Sequence, residues 1–227
     1  MEGKRFFASL QIGHATNDIA WLSIPLLLPL IREELSLSYI QSGLLLTVFA
    51  FSFSFFSFVN GRLSDRTDSV KILSFGFLFT PVAFSILFFA DSFLEIVSVI
   101  SLAAVGISAF HPVATSLVGK HWPRGIFFGL FEAAGASGLL LMSLIFTPLV
   151  TSFGWRSTGV LFALFGVPIV FLLVYTSFDN SIPKAEPNDG TEEVGVRPFI
   201  LFVLSRGFHS LRETRANRWT KKNSRGI

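Results

Sequence analysis

The chain has 227 residues, 51% of them apolar, and a net charge of +3. Asp, Glu, Lys and Arg make up only 15%, against roughly 25% in soluble domains, so the composition excludes an ordinary soluble fold. With no cysteine, disulfides, thiolate metal sites and cysteine nucleophiles are excluded as well.

A hydrocarbon core about 30 Å thick takes roughly 20 mostly apolar residues per helix. In chain order, six segments meet this requirement: 7–30, 39–60, 70–90, 94–117, 126–150 and 158–177. The first follows Lys4 and Arg5 but lacks a small-residue cleavage site, so it reads as a retained span and not as a signal peptide. The breaks between spans are short, which predicts antiparallel neighbours in an all-α membrane bundle. With the N-terminus inside, the inside loops hold Lys4, Arg5, Arg62, Arg66, Lys71, Lys120 and Arg124, and the outside loops hold only Arg32 and Arg156. This bias predicts a multi-pass cell-membrane protein with a cytoplasmic N-terminus.

Residues 1–178 thus read as a six-span transmembrane bundle. The polar, Pro- and Gly-containing stretch 179–197, DNSIPKAEPNDGTEEVGVR, reads as a cytoplasmic linker. Residues 198–227 begin with PFILFVL, too short to span, and continue with seven Lys or Arg and one Glu between Arg206 and Arg225. One reading is an incomplete seventh span whose continuation has been lost; the other is a genuine basic tail lying on anionic lipid. The first is preferred, because RETRANRWTKKNSRGI shows neither helix-pair nor lipid-anchor patterning.

A charged group near the membrane centre costs at least about 2.5–3.5 kcal/mol, so its presence needs a reason. The interiors of the second, third and sixth spans carry no ionisable residue, whereas the first, fourth and fifth do. At 100° per residue, Gln11, His14, Asp18, Trp21 and Pro25 fall within about 80° of one another, with Asn17 at the edge of the stripe. His14 and Asp18 are four apart, so the carboxylate can hold the imidazole directly. Such a pair loads and releases a proton near neutral pH, or it merely fixes helix packing. In the fourth span Ser108, His111 and Thr115 are placed on one face, and Pro112 disturbs the backbone beside His111. In the fifth, Glu132 lies in GLFEAAGASG, 129–138, where Gly129, Ala133, Ala134 and Gly138 have spacing suited to close helix approach. Glu132 either faces the cavity, pairs with His14 or His111, or sits protonated in a packing interface.

Short motifs give a resemblance. GRLSDR, 61–66, is similar to the start of the loop motif of major facilitator transporters, and it occupies the same inside loop between the second and third spans. GWR, 154–156, sits where that family often has it. The runs HATNDIAWLSIPLLLPLIREELSLSYIQSGLLLT, 14–47, and GISAFHPVA, 106–114, resemble the fosmidomycin-resistance-like branch, which contains proton-driven drug exporters. The resemblance implies a fold equal to one half of a major facilitator, with the first and fourth spans lining a central cavity. It implies further that Gly61, Asp65 and Arg66 belong to an inside gating loop. Two features depart from the pattern. Asp68, Ser69 and Val70 stand where the motif continues with Gly and two basic residues, and the fifth span lacks the Gly-Pro pair of many antiporters.

The expected function is transport of a small organic solute, proton-coupled, as in drug or metabolite efflux. Asp18 with His14 is the expected proton site, and Gln11, Asn17, Trp21, His111 and Glu132 are expected to contact substrate or line its path. No cofactor, no metal and no nucleic-acid partner is expected. The expected partners are the solute, the proton and the bilayer, together with a missing C-terminal half or a second copy, because rocking of two halves needs both. The alternative is an inactive or structural six-span membrane protein. A rhomboid-like serine protease is remote. GASG around Ser137 fits its nucleophile pattern, but the sixth span has no His to act as base.

Overall fold

The computed structural model describes residues 3–177, which form helices joined by short turns, with no strand among the described residues. In chain order these are α1 (Lys4–Glu34), α2 (Tyr39–Ser64), α3 (Ser69–Ile86), α4 (Phe93–Ile107), α5 (Phe110–His121), α6 (Gly125–Leu141), α7 (Thr147–Phe153) and α8 (Thr158–Ser177). A 3-10 turn prolongs α3 to Phe89, a π turn joins α6 to α7, and a 3-10 turn leads into α8. Five spans are long and apolar enough to cross a membrane: 39–64, 69–89, 93–121, 125–153 and 155–177. The first helix, 31 residues, has the length. Its apolarity is lower because Gln11, His14, Asn17 and Asp18 interrupt it. The expected linker 179–197 and the tail 198–227 lie outside the described residues.

Local chemistry accounts for the ends and breaks. After α1, Ser36 adopts a left-handed φ of 52°. Leu37 N–H then reaches the Arg32 carbonyl and Ser36 N–H the Glu33 carbonyl, the paired bonds that close a helix C-terminus. Capping boxes of Ser38 with Gln41 and of Ser92 with Glu95 start α2 and α4. The break between α4 and α5 falls at Ser108 and Ala109. Pro112 explains it: the ring has no N–H to offer the Ser108 carbonyl four residues earlier and collides with it. The π turn Met142–Phe146 precedes Pro148 for the same reason.

The spans pack as a ring in which α1 touches α6 and α8, α3 touches α8 and α4, and α2 touches α4. Two apolar clusters fill it. One is built on Phe6, Phe7 and Leu10 of α1 with Phe110, Val113 and Leu173. The other is built on Ile19, Ile24, Leu27 and Ile31 with Phe84, Phe146, Trp155 and Phe162. Residues 14–18 of α1 belong to neither, so the polar stretch sits between them.

GWR has a structural job at the end of the bundle where α1 stops. Gly154 takes φ 80°, a conformation that strains a side-chain-bearing residue. Trp155 is buried and donates its indole N–H to the Glu34 carboxylate. Arg156 forks: Nε and Nη2 donate to Glu34 Oε1 at 3.1 and 2.9 Å, and Nη2 also meets Asp91 Oδ1 at 2.9 Å. Its Nη1 donates to the carbonyls of Leu87, Phe88 and Ala90 at the end of the third span, where the Leu87 carbonyl also accepts a backbone N–H, that of Ala90. One guanidinium therefore ties the first, third and sixth spans together at one end of the bundle. The Trp155 indole, and then Arg156, hold the Glu34 carboxyl below its usual range. A carboxyl lowered by folding stabilises above its ordinary value of 4.5 and loses that contribution as pH falls further. We predict that Arg156→Ala lowers the thermal midpoint of the purified protein in detergent. Arg156→Lys should restore only part of it, because an ammonium cannot fork. Acidification below about pH 4.5 should narrow the gap between wild type and Arg156→Ala. An unchanged midpoint in Arg156→Ala would refute the tie.

Candidate functional site

At mid-height α1 presents its polar face to the α4–α5 break and to α6. His14 is 2% exposed. Its Nδ1 lies 2.8 Å from the Phe131 carbonyl of α6; a carbonyl only accepts, so Nδ1 carries the hydrogen and Nε2 is left facing Asp18. The Nε2 to Asp18 Oδ2 separation is 3.7 Å, longer than a hydrogen bond. The closer partner of Asp18 comes from another helix: His111 Nε2 stands 3.1 Å from Oδ1. Phe110 and Phe131 pack around the His14 ring, with Phe131 stacked at a centroid distance of 4.1 Å, and His111 meets it edge-on at 5.1 Å. One carboxylate thus lies between two imidazoles brought from two spans.

The close approach of α6 makes this possible. A Cβ on Gly135 would lie 2.6 Å from His14 Nε2 and 2.8 Å from Asp18 Oδ2; one on Gly138 would lie 2.5 Å from the Ala15 carbonyl oxygen. The packing face of α6 is therefore Phe131, Gly135 and Gly138. The expected set of Gly129, Ala133, Ala134 and Gly138 is corrected at Gly129, which is exposed with open space where a Cβ would go, and at Ala133, which is exposed as well. At 100° per residue, 131, 135 and 138 share one side and 129 turns away.

A cavity of ≈ 540 Å³ opens beside the cluster, lined by Asp18, Trp21, Pro25, Phe49, Phe53, Ser54 and His111 among others. Trp21 joins it as expected of a path residue and faces Phe53 at 6.4 Å. His111 lines it too, while the remaining expected path residues, Gln11, Asn17 and Glu132, stand apart. Gln11 donates to the Leu130 carbonyl and lines a separate cavity of ≈ 450 Å³ with Ala15, Ser137 and Phe165. Asn17 is buried, and its Nδ2 has no hydrogen-bond partner. Glu132 is exposed and reaches His14 only through its charge. Ser108, grouped with His111 from the sequence, turns to the buried side and accepts from Asn60 Nδ2, while Thr115 is exposed. At the far end of α2, Gly61 backs onto Pro112, where a Cβ would come to 3.4 Å, and Asp65 ends the helix. Asp65 and Arg66 form no salt bridge among the described residues. Sequence reasoning missed the His111–Asp18 approach, which needs the relative height of two spans. It also missed a ligand geometry: His14, Asp18 and His111 offer atoms all within 4.8 Å of one another.

The Major Facilitator Superfamily pattern matches residues 10–220. The chain belongs to that superfamily. It is 26% identical over 151 residues to the fosmidomycin resistance protein of Escherichia coli K12, covering 64% of this chain and 36% of that protein. It is 27% identical over 176 residues to a probable sulfoacetate transporter of Cupriavidus necator, covering 76% of this chain and 40% of the relative. Among solved structures it is similar in fold to a bacterial homologue of the human lysosomal transporter Spinster, inward-facing and unoccupied. There the TM-score is 0.63 at 19% identity, covering 85% of this chain and 47% of the other. The chain thus spans less than half the length of these relatives. The chain is thus a multi-pass membrane protein of a transporter superfamily, which points away from an enzyme. Ser137 fits this: its hydroxyl donates to the Ala134 carbonyl of its own helix.

The helix contact makes a test. We predict that Gly138→Ala lowers stability by about 1–3 kcal/mol, because the new methyl meets backbone that cannot rotate away. Gly129→Ala should be neutral or raise stability by up to about 1 kcal/mol. Thermal unfolding of the two variants, compared in one detergent, checks this; equal effects would contradict the assigned face.

Proposed function

We propose that the chain is one six-span half of a proton-coupled transporter for a small organic solute, in the drug or metabolite efflux class. The observation that carries the reading is the carboxylate of Asp18 between His14 and His111, beside a cavity lined by Trp21 and Phe53. An ionisable group at this depth is costly unless it is used or paired. The charged and titratable groups around Asp18 are His14 on its own helix, His111 on α5 and, further off, Glu132 on α6. Asp18 with His14 holds the coupling proton, and His111 passes it to the cavity. Trp21 contacts the solute, while Gln11, Asn17 and Glu132 tune the path. Gly61, Asp65 and Arg66 form the inside gating loop, and the N-terminus faces the cytoplasm of a cell membrane. The similarity to the fosmidomycin resistance protein supports the efflux class.

Alternating access by rocking requires a second six-span body against the cavity face. A missing C-terminal half or a second copy supplies it. The shares of 36% and 40% matched in the two relatives support this need. Without such a body the chain is an inactive six-span membrane protein.

The test uses proteoliposomes with a trapped pH-sensitive dye and fosmidomycin as first solute. The chain is reconstituted alone and together with a C-terminal half from the fosmidomycin resistance protein. Proton flux driven by the solute is expected in at least one arrangement, and Asp18→Asn should reduce it at least about 10²-fold. Solute flux that is independent of pH and unaffected by Asp18→Asn would remove the proton role.

A further inference from the structure

We propose that His14 Nε2, His111 Nε2 and the Asp18 carboxylate form a binding site for one divalent transition-metal ion of the zinc class, open toward the cavity. The site is the one to which the proton reading is assigned, but the inference rests on geometry alone and needs no transport. Metal–nitrogen and metal–oxygen bonds of about 2.0–2.2 Å place neighbouring ligand atoms about 2.9–3.5 Å apart, for either a tetrahedral or an octahedral ion. His111 Nε2 lies 3.1 Å from Asp18 Oδ1 and His14 Nε2 lies 3.7 Å from the other oxygen, Oδ2; with one ligand atom from each residue the whole set is inside 4.8 Å. Closing the widest edge asks for movement of about 1 Å. His111, the most exposed member at 37%, makes no other hydrogen bond and is free to supply it.

The surroundings have the features a metal site needs. A ligating imidazole almost always hands its other ring hydrogen to a carbonyl or carboxylate, which fixes the tautomer. His14 does this: Nδ1 donates to the Phe131 carbonyl at 2.8 Å, so Nε2 presents its lone pair toward Asp18. The ring is clamped by Phe110 and Phe131, so little ordering remains to be done on binding. Gly135 lets His14 and Asp18 sit directly against the α6 backbone, since a Cβ there would come within 2.6 Å of His14 Nε2 and 2.8 Å of Asp18 Oδ2. An ion can arrive through the cavity that Asp18 and His111 line. Water or a solute oxygen from that cavity completes the coordination.

The donor set names the class of ion. Two imidazoles and one carboxylate suit Zn2+, Co2+ and Ni2+. Mg2+ and Ca2+ prefer all-oxygen shells, and the absence of cysteine removes the ligands that favour Cu(I). The ion and a coupling proton claim the same lone pairs, so a bound ion blocks proton loading. The site then acts as an inhibitory switch, or as the holder of a metal-chelating solute.

The test is equilibrium binding of Co2+, which has visible absorption, and of Zn2+ by calorimetry. It uses the full 227-residue chain in detergent micelles with any affinity tag removed. One ion per chain is expected, with d–d bands typical of nitrogen and oxygen ligands. His111→Ala and His14→Gln should each weaken binding by more than the roughly 10–100-fold caused by losing an outer partner. The double variant His121→Ala/His209→Ala removes the chain's other two histidines and should bind like wild type. Circular dichroism and monodisperse elution establish that each variant is folded. Folded wild type that shows no saturable binding at about 100 times the micromolar range, or binding that survives His111→Ala but not the double variant, would overturn the proposal. Because this assay contains no flux, a negative result leaves the transport reading standing, and a positive one does not depend on it.

Discussion

The structure depends on a single constraint: a carboxylate halfway along a membrane helix must have partners. Asp18 finds them in His14, one turn earlier, and in His111, from a different span. Meeting both demands sets the rest. The break at Ser108 and Ala109, caused by Pro112, lies immediately before His111. Gly135 and Gly138 let α6 approach until the Phe131 carbonyl reaches His14. The apolar clusters lie to either side of the polar residues, so neither has to contain them. Each of these features would be hard to explain if the cluster were merely tolerated.

The end of the bundle where α1 stops solves a different problem by similar means. There Arg156 donates to three carbonyls that terminate the third span, one of which also accepts from Ala90 N–H, while pairing with Glu34 and Asp91. Planarity of the guanidinium is what allows one side chain to serve so many acceptors. This tie contrasts with the loop after α2, where Asp65 and Arg66 form no ion pair among the described residues.

Much of this was legible in the residues, because a bilayer allows few solutions. Six apolar stretches separated by short polar breaks led to the helices; the second and fourth spans run about a turn past the expected limits, through Arg62 and Lys120, while α8 matches its expected bounds. GRLSDR, GWR and the two longer runs led to the family. The stripe of Gln11, His14, Asp18, Trp21 and Pro25 identified the important face of α1. What did not show was height and rotation between spans. His111 could be placed on its own helix but not opposite Asp18. Gln11, on the same stripe as His14, ends against the Leu130 carbonyl of α6 and a different cavity. Gly135, central to the site, looked like any other small residue in GLFEAAGASG. A helical wheel assigns faces; only packing says what each face meets.

The claim on which the account rests is that this cluster opens onto water within the membrane. The absence of native cysteine makes the measurement clean. Single cysteines at Trp21 and Ser54, which line the cavity, are compared with one at Phe171, exposed on the outside of α8. Opened membrane vesicles are treated with a charged, membrane-impermeant methanethiosulfonate. Fast labelling at Trp21→Cys and Ser54→Cys with protection at Phe171→Cys is the predicted result. Equal protection at all three positions would mean that Asp18, His14 and His111 face no aqueous crevice, and it would contradict the account.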